Sequence, residues 1–196
     1  RMAEGQRLGV GFIGSGFITR FHIRSWVGVR DADVRGVWSP NATRAEEAAA
    51  LARSLRVGEA RAFASIEEMV AAPEIDCVWI CGPNQARVEN VEELTDPIMR
   101  GHADLAGIAC EKPLARNVAE AKSVLSLVRR AGLKTGYLEN QVFAPQVSDQ
   151  ALAGPEDRVR QVFLARLQLQ HLLFDGVARD QPVGEYLPRL ADAVGA

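Results

Sequence analysis

Apolar positions along the chain change their period repeatedly, and each change marks a switch between strand and helix. Leu8, Val10, Phe12 and Ile13 form an apolar run of strand length over 8–13, and the helical spacing of apolar side chains from Phe17 to Trp26 then predicts a helix over 17–28. Residues 33–38 read as a second strand, and 43–55 as an alanine-rich helix of good propensity. A short strand is expected at 61–63, followed by a brief helix capped by Ser65 and carrying Ile66, Met69 and Val70. Residues 75–81 are almost continuously apolar, as in a strand covered on both faces. A polar helix over 86–101 leads to an apolar strand at 106–110. Val118, Ala121, Val124, Leu125 and Val128 place a further helix over 118–131, with Gly132 as its C-terminal cap. Residues 135–138 complete the series as a strand.

Such alternation predicts an α/β fold, a doubly wound parallel sheet with helices on both faces and right-handed crossovers. Ligands on sheets of this kind bind at the carboxyl ends of the strands, where the strand order reverses. The loops after Ile13, Trp38, Cys81 and Cys110 are therefore expected to converge on one crevice.

The first of these loops carries the strongest local chemistry. Gly14-Ser15-Gly16 lies between a strand and the helix opened by Phe17 and Ile18. The first glycine permits a sharp turn, and the second lets backbone approach a pyrophosphate. The N–H groups and positive end of the helix then face the negative charge. Thr19 takes the third position of the fingerprint, where Gly or Ala is usual. After the second strand stands Ser39, not the carboxylate that would hold the ribose of NAD, and Arg44 opens the next helix. A hydroxyl and a guanidinium suit a 2′-phosphate, so the reading of NAD or NADP leans towards NADP. In Cys81-Gly82-Pro83-Asn84, Pro83 fixes the turn out of the sheet, Asn84 is placed to cap the following helix, and the loop faces the nicotinamide ribose. Glu111-Lys112-Pro113 follows the fifth strand, at 106–110. Proline holds Lys112 extended at the strand's mouth, with Glu111 as a countercharge. An ammonium there can orient the nicotinamide ribose and polarise a substrate hydroxyl or carbonyl.

Taken together, Gly14-Ser15-Gly16, Gly82-Pro83-Asn84 and Cys-Glu-Lys-Pro-Leu-Ala at 110–115 resemble the glucose–fructose oxidoreductase and inositol dehydrogenase family. The resemblance covers residues 7–145 and extends to Asn140, which matches an asparagine of that family. It implies a Rossmann domain over 7–145, with NAD(P)-dependent transfer of hydride to or from a secondary alcohol or carbonyl. A small polyol or sugar-like molecule would be the substrate, and Lys112 would take the part of the family's catalytic lysine. The chain departs from the pattern at Arg87, where a histidine is frequent, and at Val142, where an arginine is. It also lacks the family's Asp-x-x-x-His pair; His171 and Asp175 have that separation in reverse order. His22 and His102 read as surface or packing residues.

Residues 146–196 read as an incomplete second domain, truncated or divergent. Short helices are expected at 146–153 and 184–194, with one strand over 159–171. Its open edges would invite pairing with a second copy, hence a possible homo-oligomer. The absent pair leaves a second reading open, a non-catalytic NAD(P)-binding module or sensor.

Composition narrows the classes further. The 196 residues are 47% hydrophobic and 24% charged with a net charge of −2, which gives no basic surplus for nucleic acid. No apolar stretch approaches the ~20 residues of a spanning helix, and no apolar leader precedes Leu8. Cys77, Cys81 and Cys110 lie in apolar strands without metal-type spacing, so reduced core thiols, no metal and a cytoplasmic location are expected.

Overall fold

The structure, a computed structural model, describes residues 7–138. The expectations for Asn140, Val142 and the segment 146–196 lie outside the described residues. Six strands form one parallel sheet: β1 (Leu8–Ile13), β2 (Ala32–Trp38), β3 (Arg61–Ala62), β4 (Cys77–Ile80), β5 (Gly107–Glu111) and β6 (Lys134–Leu138). Their spatial order is β3-β2-β1-β4-β5-β6. The chain therefore winds outward from β1 in one direction and, after crossing to β4, outward in the other. The reversal point lies between β1 and β4, whose register pairs Ile13 with Ile80.

Five helices connect the strands: α1 (Phe17–Ser25), α2 (Ala42–Ser54), α3 (Ile66–Ala71), α4 (Arg87–Met99) and α5 (Val118–Arg130). α1 and α2 pack on one face of the sheet, where Phe12, Ile23, Val34, Ala45, Ala48, Ala49 and Ala52 are fully buried. Alanine at successive turns of α2 lets that helix lie close to β2 and β3. α3, α4 and α5 cover the other face over Ile13, Ile66, Met69, Val78, Ile80, Val91 and Leu94. Each large side chain so buried contributes on the order of 1.5–3 kcal/mol. Ser65 caps α3 as expected, its hydroxyl accepting the Glu68 N–H at 3.0 Å. Gly132 follows α5 at φ +68°, the left-handed turn that ends a helix.

Two elements differ from the sequence expectation. α1 stops at Ser25 and a 3₁₀ turn follows over Trp26–Gly28, because the Trp26 indole is drawn into the core and donates to the Ala32 carbonyl at 3.0 Å. β4 is shorter than its apolar run and is fully covered on one face only. Val78 and Ile80 are buried against α3–α5, whereas Cys77 and Trp79 are half-buried. α1 and α2 cover β1 and β2, and their face of β4–β6 holds an open groove of about 370 Å³ lined by Trp79, Ala109 and Gly136 among others. Trp79 is apolar enough to pass for core in sequence, yet it borders this groove. No helix of the described residues is long and apolar enough to cross a membrane.

Candidate functional site

Parallel strands place all their carboxyl ends on one edge of the sheet, and here hydrogen bonds draw three of those ends together. The Gly14 N–H donates to the Trp38 carbonyl at 2.7 Å, joining the β1 and β2 ends. The Cys81 N–H donates to the Ile13 carbonyl at 2.8 Å, joining β4 to β1. The Ser15 hydroxyl lies 2.9 Å from that of Ser39, and Ser15 itself is buried. Cys110 near the end of β5 pairs in register with Ile80 of β4, so the expected convergence after Ile13, Trp38, Cys81 and Cys110 is met around the reversal point of the sheet.

Gly14 sits at φ +108°, and a Cβ there would stand 2.8 Å from the Gly82 nitrogen, so only glycine fits between the first and third loops. Gly16 is different in kind. It adopts ordinary extended backbone (φ −78°, ψ −167°), and a Cβ on it would meet nothing within 4 Å. The space above Gly16 is therefore open. Gly16 is also the N-cap of α1, with no side-chain cap and no acidic residue in the first turn. The start of α1 thus combines open space at Gly16 with a positive helix end that no side chain caps, a cradle that fits a phosphate. Thr19 turns inward, fully buried, and its hydroxyl donates to the Gly14 carbonyl at 3.0 Å, bracing the turn from below.

At the end of β2 the Ser39 hydroxyl also accepts the Asn41 N–H at 3.3 Å, and Asn41 caps α2 through the Arg44 N–H at 3.0 Å. Arg44 is exposed, and its guanidinium makes no ion pair with the described residues. The nearby carboxylate on α2, Glu47, is taken by Arg20 at 2.6 Å.

The third loop corrects one expectation. Asn84 does not cap α4: it opens a 3₁₀ turn over Asn84–Ala86, and α4 begins only at Arg87, behind Ala86 and without a side-chain cap. Pro83, extended at φ −60° and ψ 145°, launches this extra turn and so displaces the helix start. Cys81 points its thiol into the core against α1. There burial, helped by the Glu111 charge, pushes its pKa to about 12.

The fourth loop carries Glu111 and Lys112. Glu111 ends β5 and is buried, whereas Lys112 beyond it is partly exposed, joined to Pro113 by a cis peptide bond. The Glu111 carboxylate lies 2.7 Å from His22 Nε2, and its other oxygen accepts the Lys112 N–H at 3.1 Å. Burial would raise the Glu111 pKa. The His22 hydrogen bond and charge, with the Lys112 N–H and ammonium, outweigh it and hold the carboxylate below its usual range. Glu111 is thus tied first to His22 and the lysine backbone, and it faces the lysine ammonium only as a neighbouring charge.

Two residues of this arrangement escape a reading of the sequence. His22 packs against Phe12, Phe21 and Trp79, as a packing residue would, and what the sequence does not signal is its 2.7 Å contact with Glu111; His102 is exposed. Arg87 is the largest fully buried side chain, 1% exposed. Its guanidinium donates to the carbonyls of Ile80 at 2.6 Å, Glu111 at 3.1 Å and Gly82 at 3.4 Å, while its Nε has no partner. One cation therefore ties the ends of β4 and β5 to the loop between β4 and α4. Nothing within a few residues of either side chain signals its partner.

A sequence profile described as an oxidoreductase family with an NAD-binding Rossmann fold matches residues 8–137. The chain belongs to the glucose–fructose oxidoreductase and inositol dehydrogenase family. Among curated members of this oxidoreductase family, it is 30% identical over 134 residues to scyllo-inositol 2-dehydrogenase (NADP(+)) of Bacillus subtilis (strain 168), covering 65% of this chain and 37% of that protein. It is 32% identical over 127 residues to 1,5-anhydro-D-fructose reductase of Ensifer adhaerens, covering 64% and 34%. Among solved structures, UDP-N-acetylglucosamine 3-dehydrogenase of Acidithiobacillus ferrooxidans superposes with a TM-score of 0.58 at 26% identity, over 76% of this chain and 43% of that one. The chain spans about a third of the length of the curated relatives it matches.

Proposed function

We propose that this chain is the coenzyme-binding half of an NAD(P)-dependent oxidoreductase that acts on a secondary alcohol or carbonyl of a sugar- or cyclitol-like molecule. The observation that carries the reading is the open, uncapped N-terminus of α1 over Gly16, at the reversal point of the sheet and on the same edge as Lys112. The pyrophosphate would rest on the α1 N–H groups beside Gly14, Ser15 and Gly16. The adenosine end would reach Ser39 and Arg44, and the nicotinamide end the loops carrying Cys81, Pro83, Asn84, Glu111 and Lys112. A bound nicotinamide supplies or accepts the hydride. Lys112 would hold the proton at the substrate oxygen, taking it as the alcohol is oxidised and returning it as the carbonyl is reduced. Arg87 would keep the Gly82 and Glu111 carbonyls in place beneath the bound ring.

Two features favour NADP. Among the described residues no carboxylate stands at the end of β2, and the Arg44 guanidinium is not engaged in an ion pair. The inositol dehydrogenase relative is itself named for NADP(+) and the other relative for an anhydro sugar, which supports the coenzyme and the polyol class together. Separate titrations with NADPH and NADH, followed by nicotinamide fluorescence, test the reading. NADPH is expected to bind more tightly, and Arg44→Glu to remove that preference. Failure of both coenzymes to bind at millimolar concentration overturns the proposal, and a tenfold preference for NADH overturns its NADP part.

A further inference from the structure

His22 has no part in the function proposed above, yet its contact with Glu111 joins two pieces of the site from distant parts of the chain. His22 stands in the second turn of α1, the helix whose N-terminus forms the phosphate cradle, and Glu111 directly precedes Lys112. The 2.7 Å contact bridges 89 residues of sequence. Both side chains are well shielded, 17% and 11% exposed, so the pair is not one of the solvated ion pairs that decorate this surface.

Each end of the pair is fixed from behind. The imidazole stands edge-on to Trp79 at 4.9 Å between ring centres and is stacked near Phe12 at 6.4 Å, with Phe21 edge-on at 6.1 Å. Those rings leave it little freedom to swing. Glu111 is held twice: its carboxylate by His22 from α1, and its carbonyl by Arg87 from α4 on the opposite face of the sheet. The second carboxylate oxygen then accepts the Lys112 N–H. A chain of hydrogen bonds thus runs from α1 through Glu111 to the backbone of the lysine.

We propose that His22 is a positioning residue, which acts through the Glu111 carboxylate to set the backbone of Lys112 and with it the direction of the ammonium. The Nε2–H of His22 donates to Glu111, and the carboxylate passes the constraint to Lys112. The phosphate-bearing helix and the lysine then move as one body, so that a coenzyme seated on α1 finds the ammonium already aimed at its nicotinamide end. This inference rests on the function proposed above, because it needs the nicotinamide to lie beside Lys112. It predicts that loss of the pair is felt at the nicotinamide end alone, whereas a purely structural pair would weaken the whole site evenly.

The test compares His22→Leu, which removes the donor, with His22→Gln, whose amide reaches the place of Nε2. Affinities are measured calorimetrically for NADPH and for 2′-phospho-ADP-ribose, which lacks the nicotinamide. In parallel, the rate at which acetic anhydride labels Lys112 is followed by mass spectrometry without coenzyme, with the exposed Lys122 and Lys134 as internal controls. The expected result for His22→Leu is a loss of about tenfold for NADPH, with the fragment unchanged within twofold. A several-fold change in labelling at Lys112 alone should accompany it, and His22→Gln should restore both. Should His22→Leu not fold, His22→Asn, whose shorter amide stops short of Glu111, replaces it in the same comparison. Equal losses for coenzyme and fragment, no change in Lys112 labelling, or a Gln variant no better than Leu would each overturn the inference. Failure of the unaltered chain to bind NADPH at all overturns the underlying function, and this inference with it.

Discussion

Exchange of a single hydrogen for a methyl group at Gly16 separates folding from coenzyme binding. In Gly16→Ala the new Cβ meets no heavy atom within 4 Å, and the backbone at φ −78° is open to any residue. Alanine is the poorer N-cap by up to ~1 kcal/mol, but the more restricted unfolded chain offsets about 0.4–1 kcal/mol. The melting temperature should therefore move by less than about 4 °C. The methyl would occupy the open space at Gly16, at the head of α1. Displacing a phosphate there loses charged hydrogen bonds of about 1.5–3 kcal/mol, or roughly 10- to 150-fold in affinity. Gly14→Ala supplies the contrast. Its methyl would sit 2.8 Å from the Gly82 nitrogen and 3.1 Å from the Cys81 carbonyl carbon at φ +108°. Strained backbone costs about 1–3 kcal/mol before the clash is counted, and the atoms in the way are main chain. That variant should melt lower by about 10 °C or more. Thermal denaturation by circular dichroism and NADPH fluorescence titration read the two effects. If Gly16→Ala bound NADPH within twofold of the unaltered chain, or melted as early as Gly14→Ala, the reasoning about the cradle would be wrong.

Arg87→Met replaces the buried guanidinium with a side chain of similar reach. Three charged hydrogen bonds are lost against a relieved desolvation of several kcal/mol, and a net loss of about 1–3 kcal/mol in denaturant unfolding is expected; an unchanged midpoint would refute the clamp. The lowered pKa of Glu111 makes it a source of acid lability. Its contribution is present above the unfolded carboxylate value near pH 4.3 and fades as pH falls through the lower folded value. Glu111→Gln should accordingly flatten the loss of stability below about pH 4.5, and a pH–stability curve identical to that of the unaltered chain would contradict this. Cys81, with its thiol raised to about 12 by burial, and Cys110, whose thiol burial also pushes up, should resist a thiol-reactive disulfide at pH 8 until denaturant is added. Rapid labelling of either in the native protein would show that the core over α1 and α4 is not closed.

Local pattern carried much of this molecule. Gly14, Ser15 and Gly16 between an apolar strand and a helical period are enough to locate the glycine turn at the head of α1, because turn and helix start both depend on neighbouring residues. The same holds for Ser65 as a cap and for Lys112 at a strand mouth before proline. Asn84 misled for the converse reason. Capping is a matter of one residue's register, and the 3₁₀ turn after Pro83 moved the helix start to Arg87.

What the sequence determined by itself was the alternation of elements, the glycine turn at the head of α1 and the placement of candidate groups at strand ends, since each is fixed by chemistry within a few residues. Only the tertiary structure decided the strand order, the half-exposure of Trp79, the burial of Arg87 against three carbonyls and the union of His22 with Glu111. Those features depend on which distant segments the sheet brings side by side, and a free energy shared between residues 89 positions apart leaves no periodic trace in either neighbourhood.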